Sequence, residues 1–251
     1  MTSVARIYRY PVKGLSAEAL ASVALTPGET IPFDRAWAIE NGPSGFDVAA
    51  PKHLPKIVFL MLMRNERLAE LAAAFDEPTR TLTLSQNGEV KLTARLDDDE
   101  GRRALEDFLG TFAADDLRGR PRVLAAPGHS FSDTAAKVLS LINLETVSAI
   151  AGTAGADVHP LRFRGNVYIE NLPPWQEFEW VGQRLKIGTA EFSVTKRIDR
   201  CAATNVNPVT AARDMNIPKT LMQAFGHADC GVYLKVETPG ALNVGDVVSW
   251  R

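Results

Sequence analysis

Cys201 is the residue with the most chemical company in the sequence. It stands in Lys196-Arg197-Ile198-Asp199-Arg200-Cys201-Ala202-Ala203-Thr204-Asn205-Val206-Asn207-Pro208, with three basic side chains in the five positions before it. A thiolate, not a thiol, ligates metal or attacks an electrophile, and adjacent Arg or Lys charge favours that form. On spacing alone the residue reads equally well as a small buried hydrophobe. Further basic residues stand far off in the chain: Arg162 and Arg164 beside Asn166, and Lys13 and Arg35 toward the N-terminus. Taken singly, Lys13 and Arg35 read as solvated surface charge. Taken with Cys201, they describe a basic, hydrogen-bonding pocket around a thiolate. Such a pocket suits a soft or high-valent metal carried on an anionic, phosphate-bearing cofactor.

Other chemistries are excluded by residue content. The sequence has no Gly-x-Gly-x-x-Gly, Walker, Gly-x-Ser-x-Gly or Cys-x-x-Cys motif. His53, His129, His159 and His227 are scattered, and a zinc site built from His227, Cys230 and Cys201 lacks the two close ligand pairs such sites show. Asp97-Asp98-Asp99 lacks the alternation of a calcium loop and reads as the acidic start of a helix. A net charge of −2 offers no broad attraction for nucleic acid or anionic lipid. Two cysteines make no disulfide framework, so the cytoplasm is the expected compartment. The N-terminus has no apolar signal region. Residues 57–63, the longest apolar run, fall far short of the roughly 20 residues that span a bilayer, so no membrane association is expected.

The elements that must position these residues are mostly strands. With 45% hydrophobic and 23% charged residues the chain has an ordinary globular composition. Residues 4–10, 19–25 and 36–40 read as early strands, 57–63 as a fully buried strand and 66–75 as a short helix. Asn87-Gly88 marks a hairpin between 79–85 and 89–95. A helix carrying Leu105, Phe108, Leu109 and Phe112 follows. The polar connection 110–121 is the expected division between two units. Beyond it, 122–126 and 136–142 read as strands, and Asn143 caps a helix over 144–151, leaving an anion site near Ser140 and Asn143. Strands at 162–169, 184–187, 191–196, 232–237 and 246–250, with Gly-rich turns, argue for a barrel or closed sheet.

These residues resemble the MOSC-domain family, named for the C-terminal domain of molybdenum cofactor sulfurase, and most of all the two-part members that include the mitochondrial amidoxime-reducing component. Tyr10-Pro11-Val12-Lys13-Gly14 and Asp34-Arg35-Ala36-Trp37 look like the N-terminal β-barrel part. Leu139-Ser140-Leu141-Ile142-Asn143-Leu144, Arg162-Phe163-Arg164-Gly165-Asn166, Arg200-Cys201 with Asn207-Pro208, and Val244-Gly245-Asp246 look like the MOSC domain. The resemblance implies a mainly β, α+β fold: an N-terminal barrel-like domain over 1–112, a MOSC β-barrel domain over 113–251, and a few short helices. It implies that Cys201 ligates the molybdenum of a molybdopterin cofactor beside Asp199 and Arg200. It also implies that Lys13, Gly14, Arg35, Arg164 and Asn166 contact the cofactor, with Thr134 next to an acidic catalytic position at Asp133. Gly14 stands where reductase-type members often have Ser, and Gly165 where Pro is usual.

Two activities are compatible with that pocket. One is an oxidoreductase that reduces N-hydroxylated or related oxidised small molecules, with electrons from a separate redox protein. The other is a sulfur carrier whose Cys201 takes up a persulfide from a pyridoxal-phosphate-dependent desulfurase. A non-catalytic cofactor-binding module is the third reading.

Overall fold

The structure, a computed structural model, describes residues 1–250. Strand β1 (Ser3–Arg9) buries Val4 and Ile7. The expected second strand is broken at Ala21 into β2 (Glu18–Leu20), which pairs with β1, and β3 (Ser22–Leu25). Strand β4 (Trp37–Asn41) is buried along its whole length.

Residues 57–63 do not form the expected buried strand. Pro55 leads into a 3-10 turn, Lys56–Val58, and a single bridge from Phe59 to Glu40 replaces a ladder. The apolar run is explained by burial without pairing: Phe59 packs with Phe46 and Phe131, and Leu60 with Leu15 and Leu68 in another cluster. The expected helix over 66–75 is also absent. A 3-10 turn, Glu66–Glu70, is followed by β5 (Ala72–Asp76), and the Leu71-x-Ala73-x-Phe75 alternation that runs from the turn into this strand faces inward once β6 (Thr81–Gln86) pairs with it. Here a sheet partner decides between two readings of one short apolar pattern. β6 and β7 (Glu89–Arg95) form the expected hairpin, with Asn87 and Gly88 both at positive φ. Helix α1 (Asp99–Phe112) is capped by the Asp98 side chain, which accepts a hydrogen bond from the Gly101 amide.

Strand β8 (Pro121–Ala125) returns to pair with β4. Strand β9 (Leu139–Asn143) runs into α2 (Leu144–Ala154), capped by Asn143 as expected. Arg162 lies in a 3-10 turn, Pro160–Phe163, not in a strand, and β10 begins only at Val167 (Val167–Glu170). β11 (Arg184–Ile187) and the long β12 (Ala190–Asp199) lead to Cys201. A helix not anticipated from the sequence, α3 (Ile217–Phe225), precedes β13 (Asp229–Val236), β14 (Gly240–Asn243) and β15 (Val248–Trp250).

Eight strands form one sheet in the order β15-β11-β12-β13-β9-β10-β1-β2, and β14 pairs with β3. β1 pairs with β10 antiparallel, through Val4↔Ile169 and Ile7↔Val167, and β10 with β9 parallel. Both the β1–β10 and β4–β8 pairings join strands from opposite sides of residue 112. Among the described residues the fold is thus mainly β with three α-helices, and strands from the two halves share sheets. Leu139, Leu141, Val167, Phe192, Val232 and Leu234 sit at the centre of the main core. Ile142, Val147, Ile150, Ile217, Leu221 and Cys230 make a second cluster with α2 and α3.

Candidate cofactor site

The turn that leaves β1 brings Lys13 inward. Val12 bridges Trp37, the Lys13 amide donates to the Trp37 carbonyl at 2.8 Å, and Lys13 is 5% exposed. Gly14 holds φ +90°, and a Cβ there would stand 2.9 Å from the Leu60 carbonyl oxygen, so no larger residue fits without strain. Arg35 and Arg164 occupy left-handed backbone positions, φ 52° and 50°. Two such non-glycine residues at one site are conformations held against local preference by their surroundings. The Arg35 guanidinium donates to Asp34 Oδ2 at 2.5 Å and to the Arg164 carbonyl at 3.0 Å. That of Arg164 lies 4.3 Å from the Tyr10 ring centre and makes no hydrogen bond or ion pair among the described residues. Burial, together with the charge of Arg35, holds it below the usual arginine value.

Cys201 follows β12 at the head of a 3-10 turn, Ala202–Asn205, where its carbonyl accepts from both the amide and the hydroxyl of Thr204. Its thiol is half-buried. Arg200 turns away to the Cys230 and Phe163 carbonyls, at 2.8 and 2.9 Å, so no carboxylate neutralises it. Asp199 is exposed at the end of β12. Asp133 bridges two lysines: Oδ1 lies 2.5 Å from Lys13 Nζ and Oδ2 3.0 Å from Lys56 Nζ. Burial pushes the Asp133 carboxyl up, but the two ammonium groups outweigh it and hold the carboxyl well below the usual carboxylate range. Next to it, the Thr134 amide is fixed by Ser132 Oγ.

Lys13, Gly14, Arg35, Asp133, Thr134, Arg164, Asn166, Asp199, Arg200 and Cys201 all line one cavity of about 490 Å³. Arg162, Lys196 and Arg197 line it too. Asn166 does so with its polar atoms engaged: Oδ1 accepts from the Ser140 amide and hydroxyl, and Nδ2 donates to the Tyr8 carbonyl. Lys56 escaped the sequence reading. It sits in Pro55-Lys56-Ile57 with no motif around it, yet its Nζ donates to Cys201 Sγ at 3.2 Å.

The anion site expected near Ser140 and Asn143 is filled by the chain itself. Buried Glu177 accepts from Asn143 Nδ2 at 3.0 Å and from the Thr146 hydroxyl at 2.9 Å, while Ser140 is bound to Asn166. Burial raises the Glu177 carboxyl above its ordinary value despite those hydrogen bonds. The Cys230 thiol is fully buried, which pushes it up to about 12.

The cavity's chemistry fits a large anionic cofactor with a thiophilic metal. Eight cationic side chains face three carboxylates. Arg162 Nε is buried with no hydrogen-bond partner, and the Arg164 guanidinium is unpaired. One accessible thiol supplies the soft ligand. The volume lies within the roughly 300–1,000 Å³ of small-molecule sites.

Fold and cavity together define a two-part β protein whose halves enclose a cation-rich cleft with a single thiol. Residues 126–249 match the MOSC domain and residues 1–117 the MOSC N-terminal beta barrel domain, so the chain belongs to the MOSC-domain family. It is similar to molybdenum cofactor sulfurase of Caenorhabditis briggsae, 24% identical over 234 residues, which cover 86% of this chain and 31% of that protein. Molybdenum cofactor sulfurase 2 of Culex quinquefasciatus is 34% identical over 74 residues, 29% of this chain and 10% of that protein. The chain thus aligns with less than a third of either curated relative. Among solved structures, the YuaD protein of Bacillus subtilis aligns over 99% of this chain and 94% of its own, with 16% identity and a TM-score of 0.45. Among the described residues no helix is long and apolar enough to cross a membrane.

Proposed function

We propose that this protein binds a molybdenum cofactor in the cleft, with Cys201 as metal ligand. In this reading it reduces N-hydroxylated or related oxidised small molecules in the cytoplasm. The observation that carries the reading is the meeting of Cys201 with the unpaired Arg164 in one cation-rich cavity. When bound, the cofactor supplies the oxygen-atom chemistry. The protein's residues bind and orient. Arg164, Arg35 and the free Arg162 Nε hold anionic groups of the cofactor, and Cys201 fixes the metal end. Asp133 stays ionised, so it serves as a hydrogen-bond acceptor that orients a substrate N–H or O–H beside the sulfur, while Lys13 and Lys56 fix its position. In this reading the electrons come from a separate redox protein.

A second reading is favoured by the Lys56 contact to Cys201 and by the similarity to sulfurases. Here Cys201 takes the outer sulfur of a persulfide on a separate pyridoxal-phosphate desulfurase. Cys201 becomes Cys–S–SH, and the donor regains its thiol.

Metal analysis of protein made in a molybdate-replete host separates the two. Near-stoichiometric molybdenum that disappears in Cys201→Ser, with turnover of an amidoxime by the loaded protein and a reducing partner, is the expected result. A metal-free protein with a trappable Cys201 persulfide sinks the first reading and supports the second.

A further inference from the structure

Lys56 is the cation that touches the sulfur. Its Nζ lies 3.2 Å from Cys201 Sγ and 3.0 Å from Asp133 Oδ2. Asp133 is shared with Lys13, so one carboxylate stands between two ammonium groups, and Arg164 adds an unpaired cation to the same cavity. The base of the Lys56 side chain is fixed. Pro55, at φ −55°, precedes the 3-10 turn, and Arg118 donates to the Ile57 carbonyl at 2.5 Å. An ammonium has three donors. Two are engaged here, and the third is available to a ligand.

We infer that Lys56 is a specificity-determining residue that selects ligands bearing an oxyanion next to the atom brought up to Cys201 Sγ. The inference deepens, and rests on, the placing of Cys201 Sγ as the ligating or sulfur-accepting atom of the cleft, common to both readings above. A carboxylate or similar oxyanion arriving at the sulfur comes within reach of Lys56 Nζ and gains a charge-assisted hydrogen bond in a cavity where cations outnumber carboxylates. A neutral ligand of the same shape gains a weaker bond and no Coulombic attraction. Lys56 comes from the N-terminal half and Cys201 from the C-terminal half, so the selection depends on both.

The test uses the metal-free full-length chain and compares alkylation of Cys201 by iodoacetate and by iodoacetamide at one fixed pH. With either reagent a sulfur–carbon bond forms and iodide leaves. Both consume the same thiolate, so the ratio of rates cancels thiolate fraction and access and reads the charge around the sulfur. Peptide mass spectrometry confirms that Cys201 carries the label. The iodoacetate-to-iodoacetamide ratio is expected to exceed that of a free cysteine derivative by about fivefold or more, the effect of one unit charge at 4 Å in a water-like dielectric. It should fall toward the free value in Lys56→Met and persist in Lys56→Arg. An unchanged ratio in folded Lys56→Met overturns the inference. So does a wild-type ratio that equals the free value and ignores ionic strength, a result that needs no variant. A chain that takes up no molybdenum but shows the Lys56-dependent ratio defeats the proposed cofactor and leaves this inference standing. A chain that takes up molybdenum in the replete host, yet whose metal-free form shows a flat ratio, does the reverse.

Discussion

The guanidinium of Arg164 lies 4.3 Å from the centre of the Tyr10 ring and, among the described residues, makes no hydrogen bond or ion pair beside that contact. Tyr10 ends the first strand region and Arg164 precedes β10, so the β1–β10 pairing places an unpaired cation in the cleft. The Arg35 guanidinium lies at the same 4.3 Å from the same ring. A cation stacked on an aromatic ring stays oriented without giving up its donors, which keeps them available for an anion.

Arg164→Gly is therefore expected to separate stability from function. It removes no hydrogen bond made by the side chain and relieves a left-handed backbone strain of roughly 1 kcal/mol. Thermal unfolding should show an unchanged or higher Tm, while molybdenum per chain falls to near zero. Arg164→Lys keeps the charge but loses the planar stack and the fork of donors, so it should restore only part of the metal content. A full complement of molybdenum in Arg164→Gly removes Arg164 from the site.

Asn166→Ala should behave in the opposite way, because its side chain joins the two halves of the fold. It is 2% exposed, its Oδ1 accepts from the Ser140 amide at 3.0 Å, and its Nδ2 donates to the Tyr8 carbonyl at 3.1 Å. Truncation leaves both backbone groups unsatisfied and is expected to cost about 2–4 kcal/mol in chemical denaturation. Any loss of cofactor should then track the unfolded fraction. A stable Asn166→Ala protein that fails to hold cofactor would make Asn166 a direct contact instead.

Gly165 offers a test of local context, because the resemblance leads to an expectation of Pro at that position. Its amide donates to Tyr168 Oη at 2.9 Å, and a Cβ would stand 2.4 Å from Ile142 Cγ1. Proline removes the donor and crowds the isoleucine, so Gly165→Pro is expected to lose roughly 2–4 kcal/mol. Gly165→Ala, which keeps the donor, should lose less. Equal stability of all three proteins would mean that the Tyr168 contact contributes nothing.

Legibility in the sequence followed the range of the interaction. The Asn87-Gly88 hairpin and the Asp98 cap of α1 are decided within a few residues, and both were readable. α3 carried readable marks as well: Asn216 as cap, Pro218 in the first turn and Gly226 at the end. Its nine residues were too short for periodicity to stand out. The strand expected at 57–63 failed because burial against two different clusters produces the same apolar run as a central strand. Lys56 was illegible for a deeper reason. Its partner Cys201 lies 145 positions away, and no local pattern marks a lysine that crosses between the halves.

Asp133 ties that crossing together, and its charge sets a pH signature. The Lys13 and Lys56 ammonium groups depress the carboxyl in the folded state, so the group contributes stability that is present above its unfolded value of 3.8 and lost as pH falls through its lower folded value. The acid limb of the stability profile should therefore lie below about pH 4, where ordinary carboxylates titrate. Asp133→Asn removes that limb's contribution and the negative charge paired with Lys13, 5% exposed, whose remaining fixed acceptor in the wild type is the Phe131 carbonyl at 2.8 Å. The expected loss at neutral pH is roughly 1–3 kcal/mol, below the range for fully buried pairs because the Asp133 side chain is about half exposed. Denaturant melts at several pH values should show the variant less stable than wild type at pH 7, with the gap beginning to narrow below about pH 4. A gap that does not narrow on acidification would show that the two lysines do not hold the Asp133 charge.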